Sequence, residues 1–188
     1  MKILIPVFFI FLLFCVACSD YSPKPRGYFR IEPGTHEYVD FEGSDYSFQR
    51  SSQSVIQEVK DTIDGDGFNI IYPLLNVTIY CSYLPINQSD FQNAAEDSRK
   101  FVYRHVVKAD GIGDYLYSDL EKGVYGIVYE IQGDVASPLQ FVLTDSVKHF
   151  FRGALYFNNR PNQDSVAPVL EYVRNDVSEL ISSFHWKN

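Results

Sequence analysis

The C-terminal segment constrains the fold more than any other part of the chain. Val166, Val169, Leu170, Val173, Val177, Leu180, Ile181 and Phe184 recur at steps of three and four, which makes one continuous apolar stripe on a helix. Such a helix must bury its stripe against another layer. Ser165 reads as its N-cap after the polar loop from Asn158 to Asp164. That places Pro168 at the third helical position, where the ladder does not need its missing N–H. A second helix repeats the pattern through Phe91, Ala94, Ala95, Ser98, Phe101, Val102, His105 and Val106. Ser89 with Gln92 forms a capping box there, and Asp110-Gly111 a stop near Ala109.

The layer that covers these helices is read from alternation. Asn76 to Tyr83 alternates and is rich in strand formers. Val124–Ile131, Leu139–Thr144 and Val147–Phe157 follow one another closely, with Tyr115-Leu116-Tyr117 as a strand candidate before them. Gly133-Asp134 breaks the first from the second, and Asp145-Ser146 reads as a two-residue hairpin link. Short links imply antiparallel pairing. Tyr28 to Ile31 reads as a first strand. Tyr46 to Arg50 and Ser54 to Val59 are strand candidates in the least legible stretch, residues 35–73. Asp64-Gly65-Asp66-Gly67 reads as a turn, since no complete calcium loop follows it. The expectation is a single α+β domain over residues 28–188, an α/β sandwich whose antiparallel sheet is covered by two amphipathic helices. Strands, helix, antiparallel strands and a terminal helix ending in Ser183-Phe184 make an order similar to the Mog1/PsbP-like fold, an analogy that carries no chemistry.

The N-terminus gives an address. Lys2 precedes fifteen uncharged residues, Ile3 to Ala17. As a helix this run is roughly 22 Å long, short of the ~30 Å hydrocarbon core. Residues 1–17 therefore read as an export signal. Small Ala17 directly before Cys18 resembles a bacterial lipoprotein cleavage box, which makes Cys18 the lipidated first residue of the mature chain; an uncleaved anchor and a buried N-terminal helix are the alternatives. Of three cysteines, Cys15 leaves with the signal and Cys18 carries lipid, so Cys81 stands alone in a strand pattern, buried and without a disulfide partner. Residues 18–27 form a short tether stiffened by Pro23 and Pro25. Lys24, Arg26 and Arg30 cluster beside it on a chain whose net charge is −8. They either meet an anionic membrane surface or pair with the acidic body. That overall charge also excludes a nucleic-acid binder with a basic footprint.

Catalytic signatures are sparse. His36, His105, His149 and His185 form no metal-ligand pair, so no metal is assigned. His105 falls on the inner stripe of its helix, a packed histidine with ligand or base as the alternative. There is no nucleophile elbow and no phosphate loop, and Gly111-Ile112-Gly113 lacks the rest of a dinucleotide fingerprint. The densest polar cluster is Thr144 to His149 with Arg152. Strand alternation sends Lys148 and Arg152 to one face and His149 to the other.

Several segments, in order from residue 18 to the C-terminus, resemble the gliding-motility lipoprotein GldD family of Bacteroidetes. They are Pro23 to Ile31, Glu96-Asp97-Ser98-Arg99 through Asp110, Val124-Tyr125-Gly126 through Ser137, Leu143 to Ser146, Lys148-His149-Phe150, Arg152 to Asn158, and Pro161-Asn162 through Pro168. The resemblance departs across residues 35–75, where many members carry two cysteines and this chain has Tyr46 and Tyr72-Pro73. It implies a non-enzymatic assembly or stabilising lipoprotein of the gliding and type IX secretion machinery. That protein is held in the cell envelope by its lipid, faces the periplasm, and has no catalytic residues and no cofactor. The alternative is a periplasmic enzyme or small-ligand-binding lipoprotein. Matched polar residues make Lys24, Arg26, Arg30, Arg99, Lys148 and Arg152 the candidates for contacts with other envelope proteins. Gly27, Gly153 and Pro161 read as backbone geometry. Asp followed by Ser or Thr and an aliphatic residue resembles an O-glycosylation signal of exported Bacteroidetes proteins. It occurs at Thr62, Ser146 and Ser165, with Ser146 the most accessible.

Overall fold

The computed structural model describes residues 36–62, 65–104, 108–158 and 163–187, leaving aside the side chains at 60–62, 65–66 and 163–165. In chain order the elements are β1 (Tyr38–Glu42), β2 (Tyr46–Ser51), β3 (Val55–Thr62), β4 (Gly65–Tyr72), β5 (Val77–Pro85), α1 (Phe91–Tyr103), β6 (Gly111–Asp119), β7 (Val124–Gln132), β8 (Leu139–Thr144), β9 (His149–Phe157), α2 (Gln163–Ser183) and β10 (His185–Trp186). Seven strands form one antiparallel sheet in the order β3-β4-β5-β9-β8-β7-β6, and β1-β2-β10 form a second, three-stranded one.

Alternation along the strands builds the core. Val77, Ile79, Cys81 and Tyr83 of β5 are buried on one face, with Phe151, Leu155 and Phe157 of β9 and Leu139, Phe141 and Leu143 of β8 beside them. Val173, Val177, Leu180 and Ile181 of α2 seal that face together with Phe184 just after it. The three-stranded sheet shares the cover: Tyr46 and Phe48 of β2 turn inward, and the Tyr46 ring stands 5.0 Å from Phe151 and 5.2 Å from Tyr83. α1 lies on the opposite face. Its Val102 packs with Ile131 and Val135, and Ile131 points away from the side on which Glu130 opposes Leu139. The α+β architecture with antiparallel sheets and two helices is as the sequence implies.

Several local expectations are corrected. The second sheet is additional; β1 is short and only partly buried, and β10 has two residues, too few for a periodic signal. Gly65, Asp66 and Gly67 belong to β4, because Thr62 already pairs with Gly65. Ser89 does not cap α1: Asp90 is the N-cap residue and makes no side-chain cap bond, while the Ser89 hydroxyl turns to Asn87 and Asp90. α1 ends at Tyr103, capped by Arg104, and Gly111 opens a strand instead of stopping the helix. The β8–β9 link is four residues long, because Asp145 Oδ1 accepts the N–H groups of Val147, Lys148 and His149 at 2.9, 2.8 and 2.9 Å and holds them in a turn. Lys148 therefore precedes β9 instead of lying in it. Ser165 lies inside α2, which begins at Gln163, so Pro168 sits deeper than the first turn and removes one ladder bond. The strand expected at Tyr28 to Ile31, the signal and tether with Cys18, Lys24, Arg26 and Arg30, and His105 lie outside the described residues.

Candidate functional site

The sheet face turned away from α2 is only partly covered, and its side-chain sizes make it concave. Asn69, Tyr80, Ala154 and Gln140 follow one another across β4, β5, β9 and β8. The adjacent row holds Gly67, Ser82 and Arg152. Small residues in the middle, Gly67, Ser82 and Ala154, set the floor. Tyr80 and Tyr156 stand edge to face at 5.4 Å and form one wall, and Phe101 of α1 forms another. The volume of this open groove is about 540 Å³. A second lobe of about 280 Å³ runs beneath α1, shares Ser82, Phe101 and Arg152 with the first, and reaches Ser98 and Arg104.

Arg152 and Arg104 place their guanidinium carbons 4.5 and 4.7 Å from the Phe101 ring centre, a cation–π arrangement from two sides of the chain. Asp97 and Lys100 neutralise each other at 3.0 Å. Among the described residues, the charged side chains lining the two lobes are Asp97, Lys100, Arg104 and Arg152. Two buried polar atoms also lack a partner: Nε2 of Gln140, a residue 5% exposed, and Oγ of Ser98, 4% exposed. Cys81 lies at the floor but belongs to the core face; burial pushes its thiol well above the usual range, which disfavours the reactive thiolate.

Of the described contact candidates Arg99, Lys148 and Arg152, it is Arg152 that lines this groove. Arg99 is exposed on α1, held to Glu96 by two bonds of 3.0 Å. Lys148 and Ser146 are exposed in the β8–β9 turn, Ser146 with φ +67°. Thr62 ends β3 opposite Gly65. The described histidines are separated by their contacts. His36 lies 3.1 Å from Asp176 of α2, His149 lies 2.8 Å from the Tyr83 hydroxyl and stacks on Trp186, and His185 meets the Ser183 carbonyl. Asp176 is buried and also accepts the Tyr38 hydroxyl at 3.2 Å. Partial burial and then the Asp176 charge push the Tyr38 phenol up to about 12. This cluster clamps the first described residues onto α2. No site role is read for Tyr80, Tyr156 or Gln140 in the sequence, and Phe101 is read there only as part of a helix stripe. The available signal was an aromatic on the supposedly polar side of a strand, Tyr80 between Ile79 and Cys81.

No curated protein matches the chain. Among solved structures it is similar to the solution structure of cyanobacterial PsbP (CyanoP) from Synechocystis sp. PCC 6803, with a TM-score of 0.47 and 15% identity over 87% of this chain and 99% of that one. No chemistry follows from that likeness. A family model described as gliding motility lipoprotein GldD matches residues 18–186. With a match of that extent, running from Cys18 to Trp186, the chain belongs to the gliding motility lipoprotein GldD family.

Proposed function

We propose that the protein is a non-enzymatic binding component of the gliding apparatus and its associated type IX secretion machinery, anchored through lipid on Cys18 and facing the periplasm. The body over residues 28–188 acts as one unit at the end of the 18–27 tether. What carries the reading is the chemistry of the groove. Its side chains are aromatics, guanidinium groups and a buried amide, which recognise and hold; the described histidines are each engaged elsewhere. Lys24, Arg26 and Arg30 set the body against the bilayer, each contributing on the order of 1 kcal/mol near an anionic surface. A short tether restricts the partners to those at that height and raises their effective concentration. Arg99 and Lys148, exposed on α1 and the β8–β9 turn, are further contact points for envelope proteins.

The test is crosslinking and pull-down of the lipidated protein from its own envelope. Gliding-machinery proteins should be recovered with the parent and lost, at equal abundance, from an Arg26→Glu/Arg30→Glu variant. Recovery of the parent without any of them would refute the reading.

A further inference from the structure

We propose that the outer edge of β6 pairs antiparallel with the same edge of a second copy of this chain, with Leu116 facing Leu116 across a two-fold axis. Among the described residues β6 ends the seven-stranded sheet, paired with β7 on one side only. Alternate residues of an end strand turn their N–H and C=O groups outward, and what completes such a row is another extended strand. The side chains there are open as well: Leu116 is 83% exposed and Tyr115 58%. A neighbouring strand would cover part of both.

The two ends of the sheet differ. β3, at the far end, has Glu58, Lys60 and Asp61 in its sequence, and its register breaks between Val59 and Thr62. Charges and irregularities of that kind keep an edge from pairing. β6 keeps an unbroken register with β7 from Gly111 to Asp119 and contains no Pro, Lys or Arg. A long, regular edge with exposed Tyr and Leu is left in the state that favours pairing.

The order of residues in β6 selects a second copy as the occupant. Tyr117 packs on the α2 face and Ile112 on the α1 face, so Tyr115 shares the first face and Asp114, Leu116 and Ser118 the second. A two-fold antiparallel pair centres on one residue that meets its own copy. Centred on Leu116, it sets Tyr115 against Tyr117 and Asp114 against Ser118, each twice. The aromatic pairs add buried area, and each Ser118 hydroxyl donates to the Asp114 carboxylate opposite. Asp119 falls opposite Gly113 and already has Lys122 at 3.6 Å. Other centres lack this fit. Tyr115 at the centre puts Asp114 against Leu116, Tyr117 puts Tyr115 against Asp119, and Asp114 puts two carboxylates face to face.

The test uses the full-length lipidated protein. In its own envelope, oxidation with copper phenanthroline should link Leu116→Cys chains to one another, because residues directly opposite lie within about 5.5 Å at Cα, inside disulfide range. Asp114→Cys should link far less, since in this register Asp114 faces Ser118 and not its own copy. In detergent the parent should sediment as a dimer at micromolar concentration. Leu116→Lys and Leu116→Glu each set like charges face to face and should weaken the dimer about fivefold or more. An equimolar mixture of the two should restore it, which also shows that both variants fold. A monomeric parent, a dimer that survives either charge, or a mixture that does not recover overturns the proposal. So does equal linking of Leu116→Cys and Asp114→Cys, or linking of Leu116→Cys to another protein in place of a second copy. Partner capture is read separately, so absence of the dimer with capture intact refutes this inference and leaves the binding role standing.

Discussion

Gly153 is the position at which one added methyl tests the packing most severely. It lies in β9 between Cys81 of β5 and Phe141 of β8. A Cβ there would sit 2.2 Å from Cζ and 2.3 Å from Cε1 of Phe141. Carbon atoms prefer roughly 3.5–4.0 Å, so the ring would have to retreat by more than about 1 Å. It has no room to do so. Phe141 is 1% exposed and already packed against Phe151, with ring centres 6.2 Å apart. Overpacking of this kind costs about 1–3 kcal/mol, against which the stiffer unfolded chain of an alanine returns about 0.4–1 kcal/mol. Gly153→Ala should therefore lower stability by about 1–2 kcal/mol and bring the urea midpoint down by roughly 0.5–1 M. Truncating the ring removes the obstacle. In a Phe141→Leu background the same change should cost almost nothing, a coupling of about 1 kcal/mol or more in a double-mutant cycle. Equal costs in both backgrounds, or no cost in the parent, would refute the assignment of Phe141 over Gly153.

Val173 of α2 is fully buried, so Val173→Asp should cost several kcal/mol and deplete the protein from the envelope; an unchanged urea midpoint would contradict the packing of α2. Cys81 should react with a thiol reagent only as the chain unfolds, and rapid labelling of the native protein at pH 8 would count against its burial. Partial burial opposes ionisation of Asp145, but the N–H groups of Val147, His149 and Lys148 outweigh it and hold the carboxyl below its usual range. A depressed folded value means stability present above the unfolded value near pH ~3.9 and lost as pH falls through the folded one. Asp145→Ala should accordingly be less stable than the parent at pH 7 and converge with it in acid; a gap that persists at the lowest pH would show that the turn does not depend on the carboxylate.

The elements with long periodic patterns were legible because one face of each meets the core. The Val166-to-Phe184 stripe, β5 and β8 are where alternation and helical spacing place them. Ends were not legible, since capping is decided by geometry that several residues can satisfy. Ser89, Ser165 and Gly111 each carry the right chemistry for a cap and each serve otherwise. The three-stranded sheet escaped because its strands are short and gain their partners across the whole chain, β2 from β10. The groove escaped for a different reason. Tyr80, Tyr156 and Gln140 look ordinary along the chain, and only the register that sets small Ala154 between Tyr80 and Gln140 turns them into a cavity. Arg152 was legible as a polar residue of interest, but its place over Phe101 joins residues from separate elements.

The central claim is that this protein works by binding from a membrane anchor and not by chemistry. The most direct measurement is complementation of a deletion strain, with gliding as the readout and protein levels checked by blot. A Cys18→Ser variant exported without lipid should fail to restore gliding although its body is intact, and His149→Gln, which changes a residue stacked on Trp186, should restore it. Full gliding from the unlipidated protein, together with loss of gliding in a stable His149→Gln variant, would contradict the account.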